Sequence, residues 1–159
     1  MTDNEFLAAF EAATLTRSEW THEAHIRMAW LYARRERGIL AALAKIRTGI
    51  KRLNGALGTD ETLYHETVTC AFATLIYVRA TQPGASDTWP AFRDANSELF
   101  DTYDPILLHH YRPETLASDE ARRMFVSPDL RPLLVSDSGE PVQTCLESGA
   151  MRRSLPCCC

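Results

Sequence analysis

Three histidines lie in two strongly apolar segments of the chain, and they are the residues best suited to chemistry. His22 and His25 are three residues apart and therefore share one face of a predicted helix. His65, with Glu66 beside it, lies in the second segment. If the two helices touch, three imidazoles and a carboxylate converge, which is a ligand set typical of Zn²⁺ or non-haem iron. The sequence thus predicts that His22, His25 and His65 bind zinc or non-haem iron.

Five further side chains are candidates for roles around these histidines. Glu66 is the expected fourth ligand or general base, and Tyr64 is expected beside it in the catalytic group. Tyr32 and Thr69 lie on the same helix faces as the histidines and are candidates for substrate binding. Arg27 in a buried helix needs a carboxylate partner or holds an anionic ligand, unless it lies solvated at the helix edge.

The pattern is consistent with three functions. The first is a metal-dependent helical-bundle enzyme that acts on a small molecule. The second is a metal-free enzyme or binding protein whose pocket uses His22 or His65 with Glu66 and Arg27. The third is a structural or interaction module, in which buried His, Tyr, Thr and Glu side chains satisfy one another.

Other histidines and cysteines are weaker candidates. His109 and His110 are adjacent in a short predicted helical turn, where one could cover the pocket, although a surface pair is the simpler interpretation. Cys70 is expected to be a reduced and buried thiol. The remaining cysteines are Cys145 and a terminal run, Cys157 to Cys159, without zinc-type spacing, so incidental thiols in a flexible tail are expected.

The elements that must position these residues are all predicted helices. Thr2 with Glu5, and Thr16 with Glu19, have the form of capping boxes. Gly49 inside the third predicted helix is interpreted as a close helix contact, because glycine in a helix otherwise costs stability. The apolar periodicity predicts helices over residues 5–13, 17–37, 39–57, 61–80 and 88–100, with shorter ones at 105–113 and 119–125. We therefore expect an all-α bundle of four main helices with shorter C-terminal helices.

Composition restricts the class of protein. The 159 residues are 45% hydrophobic and 24% charged, which is typical of a globular domain and excludes a disordered chain. A net charge of −4 disfavours nucleic acid as the partner, and no signal peptide or membrane span is evident. We expect a cytoplasmic protein with one domain over 1–135, a flexible tail over 136–159, a small-molecule ligand and a possible homodimer.

Three strings in the chain carry a resemblance. WTHEAHIRMAW at 20–30, YHETVT at 64–69 and PDLRPL at 128–133 resemble a group of small bacterial helical proteins. The similarity extends over about residues 5–134. It implies a bacterial cytosolic protein, and it implies no mechanism.

Overall fold

The computed structural model describes residues 1–133, and all of its regular structure is helical. No β-strand occurs in this range, which confirms the predicted all-α fold class. The predicted tail over 136–159, with Cys145 and the terminal cysteines, lies outside the described residues. The helices are α1 (Asp3–Glu11), α2 (His22–Arg35), α3 (Ile39–Ala56), α4 (Glu66–Thr81), α5 (Trp89–Ala95), α6 (Pro113–Ala117) and α7 (Asp119–Arg123), with 3₁₀ turns at Glu61–Leu63, Ser97–Phe100 and Ile106–His109.

Helices α2 and α4 form the centre of the bundle and pack extensively against each other. Helix α3 packs against both of them, α1 covers α2 and α3, and the short α7 lies against α4. Helix α4 is apolar on nearly every side, and the stretch of α2 from Met28 to Ala33 is buried throughout, as is expected of helices that neighbours cover all round. In residues 1–133 no helix is both long enough and apolar enough to cross a membrane.

Helix α2 begins later than the sequence predicts. Thr16 and Glu19 do form the reciprocal contact of a capping box, with the Thr16 N–H 2.8 Å from the Glu19 carboxylate. That contact closes only a single turn, because Thr21 is the N-cap and accepts a hydrogen bond from the Ala24 N–H. The predicted start at residue 17 is therefore wrong, and His22 is the first residue of the helix.

Helix α4 also begins later than predicted, at Glu66 instead of residue 61. Residues Glu61–Leu63 form a separate 3₁₀ turn, which the side chain of Asp60 caps. His65 then has extended backbone angles and caps α4 with its own ring, because Nδ1 accepts the Val68 N–H at 3.3 Å. His65 therefore lies at the end of the central helix and not on its face.

The interpretation of Gly49 as a close contact is confirmed. A Cβ atom added at Gly49 would overlap the ring of Phe10 from α1. Gly49 and Phe10 are both buried. The absence of a side chain at residue 49 thus lets α1 pack closely on α3.

Candidate functional site

A cleft of about 300 Å³ opens between α2, α3 and α4. Its walls are mainly aliphatic and aromatic side chains, and no charged residue of the described chain lines it. The polar residues on the wall are His22, His25 and Thr69, three of the residues that the sequence singles out. Its apolar lining includes Ile26, Ile46, Ile50, Val68, Phe72 and Ile76.

His25 is held in one tautomer by the backbone of its own helix. Its Nδ1 atom lies 2.7 Å from the carbonyl oxygen of Thr21, and since a carbonyl only accepts, Nδ1 carries the proton. The indole of Trp20 stacks on the ring with centroids 3.7 Å apart. Burial lowers the pKa of His25, the hydrogen bond to Thr21 opposes this, and nearby His22 lowers it further. The imidazole is therefore neutral at pH 7, with its lone pair on Nε2.

His22 is oriented by a different part of the chain. Its Nε2 atom lies 2.9 Å from the carbonyl oxygen of Leu99, so Nε2 is the protonated nitrogen. The ring meets the edges of Phe72 and Phe100, at centroid distances of 5.5 and 6.5 Å. No hydrogen bond from residues 1–133 reaches Nδ1 of His22 or Nε2 of His25, and the neutral ring of His25 can therefore accept one more.

Thr69 completes the polar part of the wall. Its side chain is on the cleft wall, and its hydroxyl can both donate and accept a hydrogen bond. The hydroxyl of Tyr64, which precedes it on the chain, donates to Glu66 at 2.8 Å.

The structure does not join His65 to the other two histidines. Besides capping α4 through Nδ1, His65 donates from Nε2 to the carbonyl oxygen of Leu116 at 2.8 Å, so both ring nitrogens are used. In the described part of the chain, no group of three or more His, Cys, Asp or Glu side chains could hold a metal ion. His22, His25 and His65 therefore do not fit the predicted zinc or non-haem iron.

Glu66 and Tyr64 belong to a half-buried polar cluster beside the cleft and do not line the cleft itself. Glu66 pairs with Arg47 of α3 at 2.5 Å, and Cys70 donates to the same carboxylate at 3.2 Å. Burial raises the pKa of Glu66, but hydrogen bonds from Tyr64 and Cys70 and the charge of Arg47 outweigh it, so the net pKa is lowered.

The same cluster keeps the thiol of Cys70 protonated. Burial raises its pKa to about 12, and the charge of Glu66 contributes in the same direction. Since a thiolate is the nucleophilic form of cysteine, this thiol is unreactive at neutral pH. The cluster therefore fixes α3 to α4, and its carboxylate accepts three hydrogen bonds instead of facing a ligand.

Arg27 and Tyr32 lie on the α1 side of α2. Arg27 donates from Nε to Asp3 at 2.9 Å and lies over the ring of Phe6. The Tyr32 hydroxyl donates to Glu11 at 3.0 Å. Neither residue lines the cleft, and the structure gives Arg27 the carboxylate partner that a half-buried guanidinium requires. Of the residues predicted to bind substrate, Thr69 lines this cleft.

The adjacent histidines of the C-terminal region do not cover the cleft. His109 contacts the carboxylate of Asp104 at 2.9 Å on the surface. His110 donates from Nδ1 to the carbonyl oxygen of Arg131, and its own carbonyl accepts the Leu130 N–H. Both therefore stabilise the turns that follow α5.

A larger groove of about 800 Å³ lies between α3, the Glu61–Leu63 turn and α7. Charged side chains of both signs line it, and their partners are close at hand. Lys51 lies over the ring of Tyr64, Arg122 donates to the Thr62 carbonyl, and Arg123 pairs with Asp119. With these groups paired among themselves, the groove offers a ligand less than the cleft does.

Sequence reasoning missed the contribution of α3 to this region. Ile46 and Ile50 form one wall of the cleft, and Arg47 supplies the counter-charge of Glu66. The signal was present, because Leu43, Arg47 and Ile50 share one face of the helix at i, i+4 and i+7 spacing. A charged residue within an apolar face indicates a buried partner on the neighbouring helix.

Comparison of the chain with protein-family models, with curated proteins and with solved structures finds no match. The function must therefore be inferred from the geometry of the cleft.

Proposed function

We propose that this protein binds a small and largely apolar molecule in the cleft between α2, α3 and α4. The observation that carries the proposal is the cleft itself, an apolar depression with two imidazoles on its wall. Small-molecule sites are typically concave and mostly apolar, with a few placed polar groups, and begin at about 300 Å³. His65, the third imidazole of the predicted metal site, hydrogen-bonds to the backbone through both ring nitrogens and does not join this cleft.

The volume of the cleft limits the size of its ligand. An engineered apolar cavity of about 150 Å³ binds benzene. A cleft of about 300 Å³ is twice as large and is therefore matched by two fused rings, or by one ring with a short chain. Its enclosure by three helices means that a bound ring would contact side chains of all three.

The test uses a bicyclic hydrocarbon, indene, as the probe. Its dissociation constant is measured by NMR titration of the isoleucine and valine methyl groups. Replacement of Ala29, a small residue on the cleft wall, with leucine fills part of the volume, and we expect A29L to weaken binding at least tenfold. Ala41 is an exposed alanine of α3 outside the cleft, and A41L should bind indene as the wild type does.

Two outcomes would contradict the proposal. Indene that leaves the methyl resonances of the cleft unchanged at its solubility limit would show that the cleft does not take apolar molecules. Equal affinity in A29L and A41L, with both variants folded, would place the probe elsewhere on the protein.

A further inference from the structure

The polar groups on the cleft wall share one property, which is that all of them accept hydrogen bonds. His25 donates its Nδ1 proton to the carbonyl oxygen of Thr21, so its Nε2 presents a lone pair. His22 donates its Nε2 proton to the carbonyl oxygen of Leu99. Thr69 has a hydroxyl that can accept as well as donate. A ligand in the cleft therefore meets three groups that can accept a hydrogen bond.

The three acceptors are not equally available to a ligand. His22 is exposed, so water competes for its free nitrogen, and the hydroxyl of Thr69 can rotate to donate instead of accepting. His25 is half-buried under the indole of Trp20 and lacks a second partner within residues 1–133. Of the three acceptors, Nε2 of His25 is therefore the one at which a ligand displaces the least water when it forms a hydrogen bond.

Charge restricts the ligand further. No Asp, Glu, Lys or Arg of the described chain lines the cleft, although the Glu66–Arg47 ion pair lies nearby. An ionised group in an apolar site without a counter-charge is strongly disfavoured. The group that meets His25 is therefore a neutral donor, an N–H or a hydroxyl.

We infer that the ligand is a neutral ring compound of about two fused rings that donates one hydrogen bond to Nε2 of His25. This inference rests on the proposed function, since it names the chemical class that the same cleft takes. His25 is then the residue that determines specificity. An acceptor-only molecule of equal shape loses this bond and also sets its own lone pair against that of the imidazole.

The test compares three probes of nearly identical shape. Indole carries an N–H donor, benzofuran has an oxygen acceptor at the same position, and indene has neither. We expect the wild-type protein to bind indole about three- to tenfold more tightly than benzofuran or indene, which is the usual net value of one hydrogen bond. The dissociation constants are obtained by the same methyl NMR titration.

A variant identifies the atom responsible. We expect H25L to bind indole, benzofuran and indene with similar affinities, so that the preference for indole disappears. The dispersion of the methyl resonances shows whether H25L is folded. H109L is the matched control, because it removes an imidazole outside the cleft, and the preference for indole should persist in it.

The possible results separate the two proposals. Binding of all three probes with no preference for indole, or a preference that survives in H25L, would overturn the inference about His25 while leaving an apolar binding site. Absence of binding by all three probes would overturn the proposed function itself.

Discussion

Four of the five histidines in this protein place a ring nitrogen against a backbone carbonyl. His22 contacts Leu99, His25 contacts Thr21, His65 contacts Leu116 and His110 contacts Arg131. A carbonyl oxygen accepts but never donates, so each contact fixes which nitrogen carries the proton. The chemistry open to each histidine is therefore decided by the backbone that it meets, and no spacing in the sequence encodes that.

The structural role of His65 leads to a prediction about stability. H65A loses the N-cap of α4 and the hydrogen bond to Leu116, and we expect it to lower the free energy of unfolding by about 2 kcal/mol. H65N keeps a side chain that can cap and should lose only about half as much. Urea unfolding measures both values. Wild-type stability in H65A would contradict the assigned role.

The pKa of His25 leads to a prediction about pH. Burial lowers it in the folded protein from the ordinary value of 6.5, so below pH 6.5 the unfolded chain binds the proton more tightly. The stability that depends on neutral His25 is present above pH 6.5 and is lost as the pH falls towards the folded-state pKa. We expect the free energy of unfolding to fall less in H25L than in the wild type between pH 7 and pH 5.

The control for this pH dependence is H109L, which removes a histidine from the surface. Carboxylates also titrate as the pH falls, and they do so in all three proteins, so only the difference between variants reports on His25. An H25L profile parallel to that of the wild type would mean that His25 has the same pKa in the folded and unfolded states.

At the scale of elements, the packing of α1 on α3 depends on one position. G49A places a methyl group against the ring of Phe10, and we expect the free energy of unfolding to fall by about 1–3 kcal/mol. Gly55 lies in the same helix with open space around it, so G55A should gain about 0.5–1 kcal/mol from helix propensity. Thermal or urea unfolding gives both values. Equal changes in the free energy of unfolding of G49A and G55A would refute the close contact.

The extents of the helices could be predicted more reliably than the points at which they begin. Helix α3 lies within a residue of its predicted range, because a glycine bounds it on each side. The starts of α2 and α4 were displaced, because several Thr, Asp and His side chains in succession can each cap a helix. The choice among them depends on tertiary contacts, such as those of Trp20 with His25 and of His65 with Leu116.

At the scale of the whole molecule, periodicity sufficed for the all-α class and for α2 and α4 as the central pair. It also placed His22, His25 and Thr69 on the faces that meet across the cleft. It could not show that Arg27 and Tyr32 turn towards α1, or that α3 closes the third side, because these depend on the rotation of each helix about its axis. The predicted metal site needed His65 on a helix face beside His22 and His25, and the structure places His65 at a helix end.

The most direct test of the account is to locate a bound apolar molecule by NMR. Indene added to protein with labelled methyl groups should give intermolecular nuclear Overhauser effects to Ala29 of α2, Ile46 of α3 and Val68 of α4. Contacts with all three helices at one-to-one stoichiometry are the predicted result, because only the cleft brings these side chains together. Contacts confined to other residues, or none at saturating indene, would contradict a binding site in the cleft.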